Sequence, residues 1–181
     1  SLSGDFTVYR SNIRDMIQWH PGEYSYWTAD NIKDVNITGL EFSSLFSQKT
    51  GRFSLRLNAL YSLTLANQTG NAEKSLNNKQ LIYIPVHQAS ATLRLAYGSF
   101  YSSVLADYTG KRYLSSDNSS SLQGYVLSDM MLGMKLNLNS ARFDLNFTVS
   151  NIFNTNYQAI AWHPMPGRSY SVNLLLEIIK K

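Results

Sequence analysis

From Arg142 to Ser150 the chain reads R-F-D-L-N-F-T-V-S, with Phe143, Leu145, Phe147 and Val149 on one parity and Arg142, Asp144, Asn146, Thr148 and Ser150 on the other. Successive side chains of a β-strand point to opposite faces, so one face of this segment is apolar and the other polar and charged. The pattern recurs. Segment 52–65 sets Phe53, Leu55, Leu57, Ala59, Tyr61, Leu63 and Leu65 against Arg52, Ser54, Arg56, Asn58 and Thr64. Segment 83–97 sets Ala89, Ala91, Leu93, Leu95 and Tyr97 against Gln88, Ser90, Thr92 and Arg94. In 99–110, Phe100, Val104, Ala106 and Tyr108 oppose Asp107. In 125–138, Met130, Leu132, Met134, Leu136 and Leu138 oppose Asp129, Lys135 and Asn137. In 168–179, Tyr170, Val172, Leu174, Leu176 and Ile178 oppose Ser171, Asn173 and Glu177.

With 5–18 and 33–48 added, the alternation predicts about eight strands. Short breaks fall at 49–51, 98–99 and 139–141, and long ones at about 19–32, 66–82, 111–124 and 152–167. A short-long alternation gathers the tight turns at one end and the long loops at the other, the layout of an up-and-down barrel across an outer membrane. The charges sharpen this reading. Arg52, Arg56, Arg94, Asp107, Asp129, Lys135, Arg142, Asp144 and Glu177 all fall on the polar parity. Chance would place them so roughly once in 500 trials, whereas a lipid-facing Lys or Arg costs about 2–4 kcal/mol at the midplane. They are therefore expected to face a lumen.

The first two strands obey less well. In 33–48, Val35 and Ile37 give way to Leu40, Phe42 and Phe46, a parity change at Gly39 that predicts a bulge. Strand 5–18 carries Arg10, Asn12, Arg14 and Asp15 and has no apolar face beyond Phe6 and Val8.

Composition narrows the class. No apolar run in the 181 residues approaches the ~20 that a transmembrane helix needs, which leaves a membrane barrel open. Aromatics make up 13% of the chain, with 12 tyrosines, which suits either a β-rich protein or aromatic girdles at membrane interfaces. Cysteine is absent, so disulfides and thiolate metal sites are excluded. The net charge of +4 comes from scattered basic residues, which argues against a nucleic-acid footprint. Ser1-Leu2-Ser3-Gly4-Asp5 lacks the parts of a signal peptide and leads straight into a strand, as expected of a segment whose natural beginning lies upstream.

The stretch Ser150-Asn151-Ile152-Phe153-Asn154-Thr155-Asn156-Tyr157, followed by Pro164-Met165-Pro166-Gly167-Arg168, resembles the end of TonB-dependent outer-membrane receptors. In that family an N-L-F-[DN]-x-x-Y element closes the penultimate strand and a P-G-R element opens the last. Phe6-Thr7-Val8-Tyr9-Arg10 through Asp15-Met16-Ile17-Gln18-Trp19, then Gly39-Leu40-Glu41, is similar to the family's paired strands around one long loop. The detail is most similar to the vitamin B12 and siderophore receptor branch, of the kind found in Bacteroidetes. The resemblance implies a barrel of about 22 strands around a plug pulled by TonB, with residues 1–181 as its C-terminal portion and the plug and earlier strands absent. It implies import of a chelated metal or cobalamin-like ligand, outer-membrane lipid as solvent, and no covalent chemistry. The chain departs from the family's terminal aromatic, ending Ile178-Ile179-Lys180-Lys181.

Candidate ligand contacts sit in the long loops: Tyr24, Tyr26 and Trp27 beside His20 in one, and Trp162 and His163 in another. Aromatics suit a large planar ligand, and equally suit anchoring a loop at the membrane interface. The arginines of the polar parity could attract an anionic chelate or form a wall network with the carboxylates. His20, His87 and His163 lack metal-ligand spacing, and no nucleophile or phosphate-loop motif occurs, so neither a metal, a cofactor nor an enzymatic activity is expected. Two other readings stay open: a complete small barrel of eight strands, structural or adhesive, and a soluble β-sandwich binding module. If the chain is a severed wall, its unpaired edges and apolar face should make it self-associate.

Overall fold

Period-two patterning builds strands wherever their edges find partners, and here it builds one broad antiparallel sheet. The computed structural model describes residues 1–21, 26–31, 34–70 and 74–178. In chain order the strands are β1 (Leu2–Ile13), β2 (Ile17–Pro21), β3 (Trp27–Asn31), β4 (Asp34–Thr50), β5 (Phe53–Thr69), β6 (His87–Tyr97), β7 (Phe100–Thr109), β8 (Arg112–Tyr113), β9 (Ser121–Leu122), β10 (Tyr125–Leu138), β11 (Ala141–Ser150) and β12 (Ser169–Ile178). Eight of them form the sheet, in the order β1-β4-β5-β6-β7-β10-β11-β12. The pairs β2–β3 and β8–β9 are small hairpins inside two of the long connections.

The tight turns hold two residues each, closed by the pairs Thr50↔Phe53, Tyr97↔Phe100 and Leu138↔Ala141. Gly51 and Gly98 take φ 59° at the first central position, as a type II′ hairpin requires. Directly opposed residues share a face, and the register therefore assigns every side chain. One row runs Phe6–Phe42–Tyr61–Ala89–Tyr108–Val126 across six strands. Nothing among the described residues covers it: Phe6 is 63% exposed and Val126 46%. The sheet is thus apolar on one open face and polar on the other.

Among the described residues the arrangement is neither a closed eight-stranded barrel nor a two-sheet sandwich. A sandwich needs a second sheet over the apolar face, and the described residues supply none. A closed eight-stranded barrel needs β1 beside β12, and these stand at opposite ends of the strand order.

Three local expectations are corrected. The strand expected over 5–18 ends at Ile13, because Asp15 turns the chain at φ 53°; Ile17 onward belongs to the β2–β3 hairpin. No bulge occurs at Gly39: the pairs Thr38↔Leu65, Gly39↔Thr64 and Leu40↔Leu63 run on unbroken, as do Arg10↔Thr38, Tyr9↔Gly39 and Val8↔Leu40. Val35 and Ile37 instead lie on the polar parity and are apolar because something covers them. The connection between β5 and β6 folds over the sheet there, so that Leu81 joins Val35 and Ala66 in a buried cluster, with Ile13, Met16, Ile37 and Ile84 packed around it. Finally, Arg52 lies in the turn between β4 and β5 rather than within a strand.

Candidate functional site

The polar face is assembled by register. Arg56 stands opposite Arg94, Arg94 opposite Ser103, Lys135 opposite Asp144, and Arg142 opposite Glu177. Asp107 and Asp129 share that face through Ser90↔Asp107 and Asp129↔Leu105. Most of these charges have partners. Lys135 Nζ lies 3.6 Å from Asp144, which also accepts the Tyr101 hydroxyl, and Arg142 lies 3.4 Å from Glu177. Asp129 accepts the backbone N–H of Asn151 at 2.8 Å. Higher on the same face, Asp5, Glu41 and Asp107 line a cleft of about 510 Å³ with Thr7, Ser90 and Gln88.

The long connections at the other end are tied together by polar side chains. After leaving β5, the chain runs back beside it, and Gln80 spans the place where the backbone swings away. Its Oε1 accepts the Ala66 N–H at 2.9 Å, and its Nε2 donates to Thr64 O at 3.1 Å and Ile84 O at 3.2 Å. Asn118 then pairs with the Gln80 backbone as a strand would: Oδ1 accepts Gln80 N–H at 2.9 Å and Nδ2 donates to Gln80 O at 2.8 Å. Asn118 sits at φ 61°, a conformation Asn tolerates better than most residues. Arg112, 4% exposed, donates to Ala159 O at 2.8 Å and Gln158 O at 2.7 Å and lies over the Tyr125 ring. Tyr125 in turn packs on Tyr157, centroids 4.8 Å apart. Three connections, 70–86, 110–124 and 151–168, are thereby coupled.

The C-terminal motif has a mechanical meaning here. Asn151, at φ 52°, donates to Thr155 O at 3.0 Å and accepts Thr155 N–H at 2.8 Å, folding the chain out of β11. Asn154 Oδ1 accepts the Arg168 N–H at 2.9 Å, and a Cβ on Gly167 would come 3.0 Å from that oxygen. The two halves of the motif thus meet. At the tip of 110–124, hydrogen bonds from Ser115 and Ser119 hold the Asp117 carboxyl down at about 2.

The aromatic candidates are not gathered into one place. Tyr24 lies outside the described residues, as does the side chain of His20. Tyr26 is exposed, and Trp27 packs on Tyr83 with centroids 6.1 Å apart. Both belong to the connection between β1 and β4, at one edge of the sheet. Trp162, 91% exposed at φ 65°, and His163, bonded to Ala161 O at 3.0 Å, belong to the connection between β11 and β12 at the other edge. His87 pairs with Tyr61 at 2.8 Å on the apolar face. Gln80, Arg112 and Asn118 were not singled out by sequence pattern, and the partners that tie them to other segments lie 14 to 47 residues away. The positive-φ asparagines were the one signal that could have marked these turns.

A family model described as TonB dependent receptor-like, β-barrel, matches residues 1–152. The vitamin B12 transporter BtuB of Vibrio vulnificus is 28% identical over 167 residues, covering 92% of this chain and 24% of its own length. Among solved structures, the ferric preacinetobactin receptor BauA of Acinetobacter baumannii superposes with a TM-score of 0.73 at 14% identity, covering 96% of this chain and 27% of that one. The siderophore receptor PiuA of the same organism gives 0.71 at 17% identity, covering 97% and 26%. The copper transporter OprC gives 0.70 at 17%, covering 98% and 29%. The chain spans about a quarter of the length of these proteins.

Proposed function

The chain belongs to the TonB-dependent receptor-like β-barrel family of the outer membrane, whose members act as transporters and receptors rather than enzymes, and we propose that it forms the C-terminal wall of an active importer for a chelated metal or cobalamin-like ligand. The observation that carries this is the two-faced sheet: an uncovered apolar face for lipid and a polar face carrying the charges for the lumen. Aromatic spacing supports it. Phe53, Tyr97 and Phe100 stand in one row beside the tight turns, and Tyr61 and Tyr108 lie eight residues further along β5 and β7. At ~3.3 Å per residue and a ~40° tilt, those rows lie about 20 Å apart, near the height of a barrel's apolar band.

In this reading the tight turns face the periplasm and the coupled connections face outward. Lumen-facing Arg56, Arg94, Asp107, Asp129, Lys135, Arg142, Asp144 and Glu177 line the route, Arg52 stands in a turn at its inner end, and Tyr24, Tyr26, Trp27, Trp162 and His163 offer ligand contacts at the outer end. Energy comes from TonB acting on a plug carried elsewhere in the full-length protein. The chain itself is wall and rim, and performs no covalent step.

The test uses the full-length protein. Cyanocobalamin and a ferric siderophore are titrated in detergent micelles, reading tryptophan quenching, and their uptake is followed in cells with and without TonB. Saturable binding with TonB-dependent uptake of either class is expected. Binding of neither, in protein that migrates as a folded barrel, would refute the assignment.

A further inference from the structure

Arg56 and Arg94 are directly opposed on β5 and β6, flanked in the same row by Ser47 on β4, Ser103 on β7 and Met131 on β10. The row contains no acid. Like charges placed directly opposite one another destabilise a sheet, and the other strand charges nearby are already answered: Lys135 by Asp144, Arg142 by Glu177, and Asp129 by Asn151. Neither arginine has a hydrogen-bond or ion-pair partner among the described residues. Both border a hollow of about 490 Å³ on the polar face, lined also by Lys49, Ser54, Ser103 and Lys135. Besides the ion-paired Lys135, three cations and several hydroxyls thus border a space whose described lining contains no carboxylate.

We infer that the Arg56–Arg94 pair is an oxyanion site, holding a carboxylate or phosphate-type group between two guanidinium forks. Paired planar forks match the two oxygens of such a group, and the charge-assisted bonds offset the repulsion that the register imposes. The inference takes from the proposed function only that the polar face is open to water; it does not depend on any imported ligand. The oxyanion comes either from solution or from an Asp or Glu of another part of the full-length protein.

The sign of a substitution decides the matter. Without an anion, Arg94→Gln relieves repulsion and leaves the thermal midpoint unchanged or higher. With one, it removes a fork and lowers the midpoint, by about 1 °C for each lost contact in a protein about four times the length of this chain. The experiment follows the midpoint of the full-length protein in micelles, with heat-modifiable migration as the check of folding. It includes Arg56→Gln, and Arg94→Lys, which keeps the charge and loses the fork, and it titrates citrate as the probe. A lower midpoint in the Gln variants, with citrate binding weakened roughly tenfold or more, supports a site filled from solution. A lower midpoint with citrate silent, the loss shrinking in 1 M salt, supports a site filled by the protein's own carboxylate. An unchanged or raised midpoint with citrate silent overturns the inference, as does citrate binding equal in all variants. Ligand uptake is not read, so failure here leaves the transport reading standing.

Discussion

Tyr9 of β1 lies across Gly39 of β4, its ring filling the space where any other residue would carry a Cβ. Tyr101 of β7 covers Gly133 of β10 in the same way. The two pairs differ in what holds the ring. Tyr101 is anchored at its hydroxyl by Asp144 and lies under the Lys135 ammonium, 5.4 Å from the ring centroid. Tyr9 has no such anchor among the described residues.

Gly133→Ala is therefore expected to destabilise more than Gly39→Ala. The Tyr9 ring can swing away from a new methyl, whereas Tyr101 must break its bond to Asp144 to do so. Overpacking of this kind costs about 1–3 kcal/mol, and Gly39→Ala should fall below that range. Urea titration of both variants in micelles measures the difference, and equal losses would show that the anchor is immaterial.

Much of this sheet was legible in advance, because a period of two needs only neighbours in sequence to be read. The eight strands, the three tight turns and the polar parity of the charges follow from it. The parity change at Gly39 was also visible, but its cause was not. A bulge and a covering loop leave the same trace in β4, and only the position of Leu81, far along the chain, separates them. The expected first strand lacked a clean face partly because its span ran past Asp15 into a separate hairpin, and partly because Arg10 and Asn12, within β1, share the parity of Phe6 and Val8. The loop couplings were illegible for a related reason. Arg112 reads as one more exposed cation until its carbonyl partners, 46 and 47 residues on, are known.

Gln80→Leu keeps the volume and removes the amide. It leaves the Ala66 N–H and Thr64 O without their side-chain partner in a buried place, at about 1–3 kcal/mol for each unsatisfied group. The Leu81 cluster rests on the same segment. Amide exchange in 64–68 and 79–86 should accelerate by about two orders of magnitude or more, roughly the Boltzmann factor of the summed loss, while β10 to β12 stay protected. Unchanged exchange at Ala66 would mean that water replaces the amide without penalty.

Asp117 supplies a pH dependence with a definite sign. Its carboxylate accepts the Ser119 N–H at 3.0 Å and the Ser119 hydroxyl at 2.8 Å, and its pKa is lowered to about 2. A depressed folded-state pKa contributes order that is fully present above the ordinary carboxylate range, near 4, and is lost as pH falls through about 2. The Ser119 amide should therefore hold its protection and chemical shift to about pH 3, then change together with the Asp117 carboxyl. Asp117→Asn should abolish that transition; a change centred near pH 4 would show that the serine bonds do not persist in solution.

Arg112 offers the sharpest test of the coupling between connections. Its fork donates to two successive carbonyls, Gln158 O and Ala159 O, while its Cζ lies 5.1 Å from the Tyr125 ring centroid. A lysine has one compact ammonium, which cannot present the two-pronged fork to both carbonyls. Arg112→Lys should thus behave much like Arg112→Ala. Each should lose about 1.5–3 kcal/mol per abandoned charge-assisted bond from the local stability of 151–168. Because Tyr83 N–H donates to Tyr113 O at 2.9 Å, the loosening should spread to 81–86. Hydrogen exchange resolved by segment reads both effects. Faster exchange confined to 110–113 would mean that the three connections open independently; rescue by lysine would mean that charge, and not the fork, holds them.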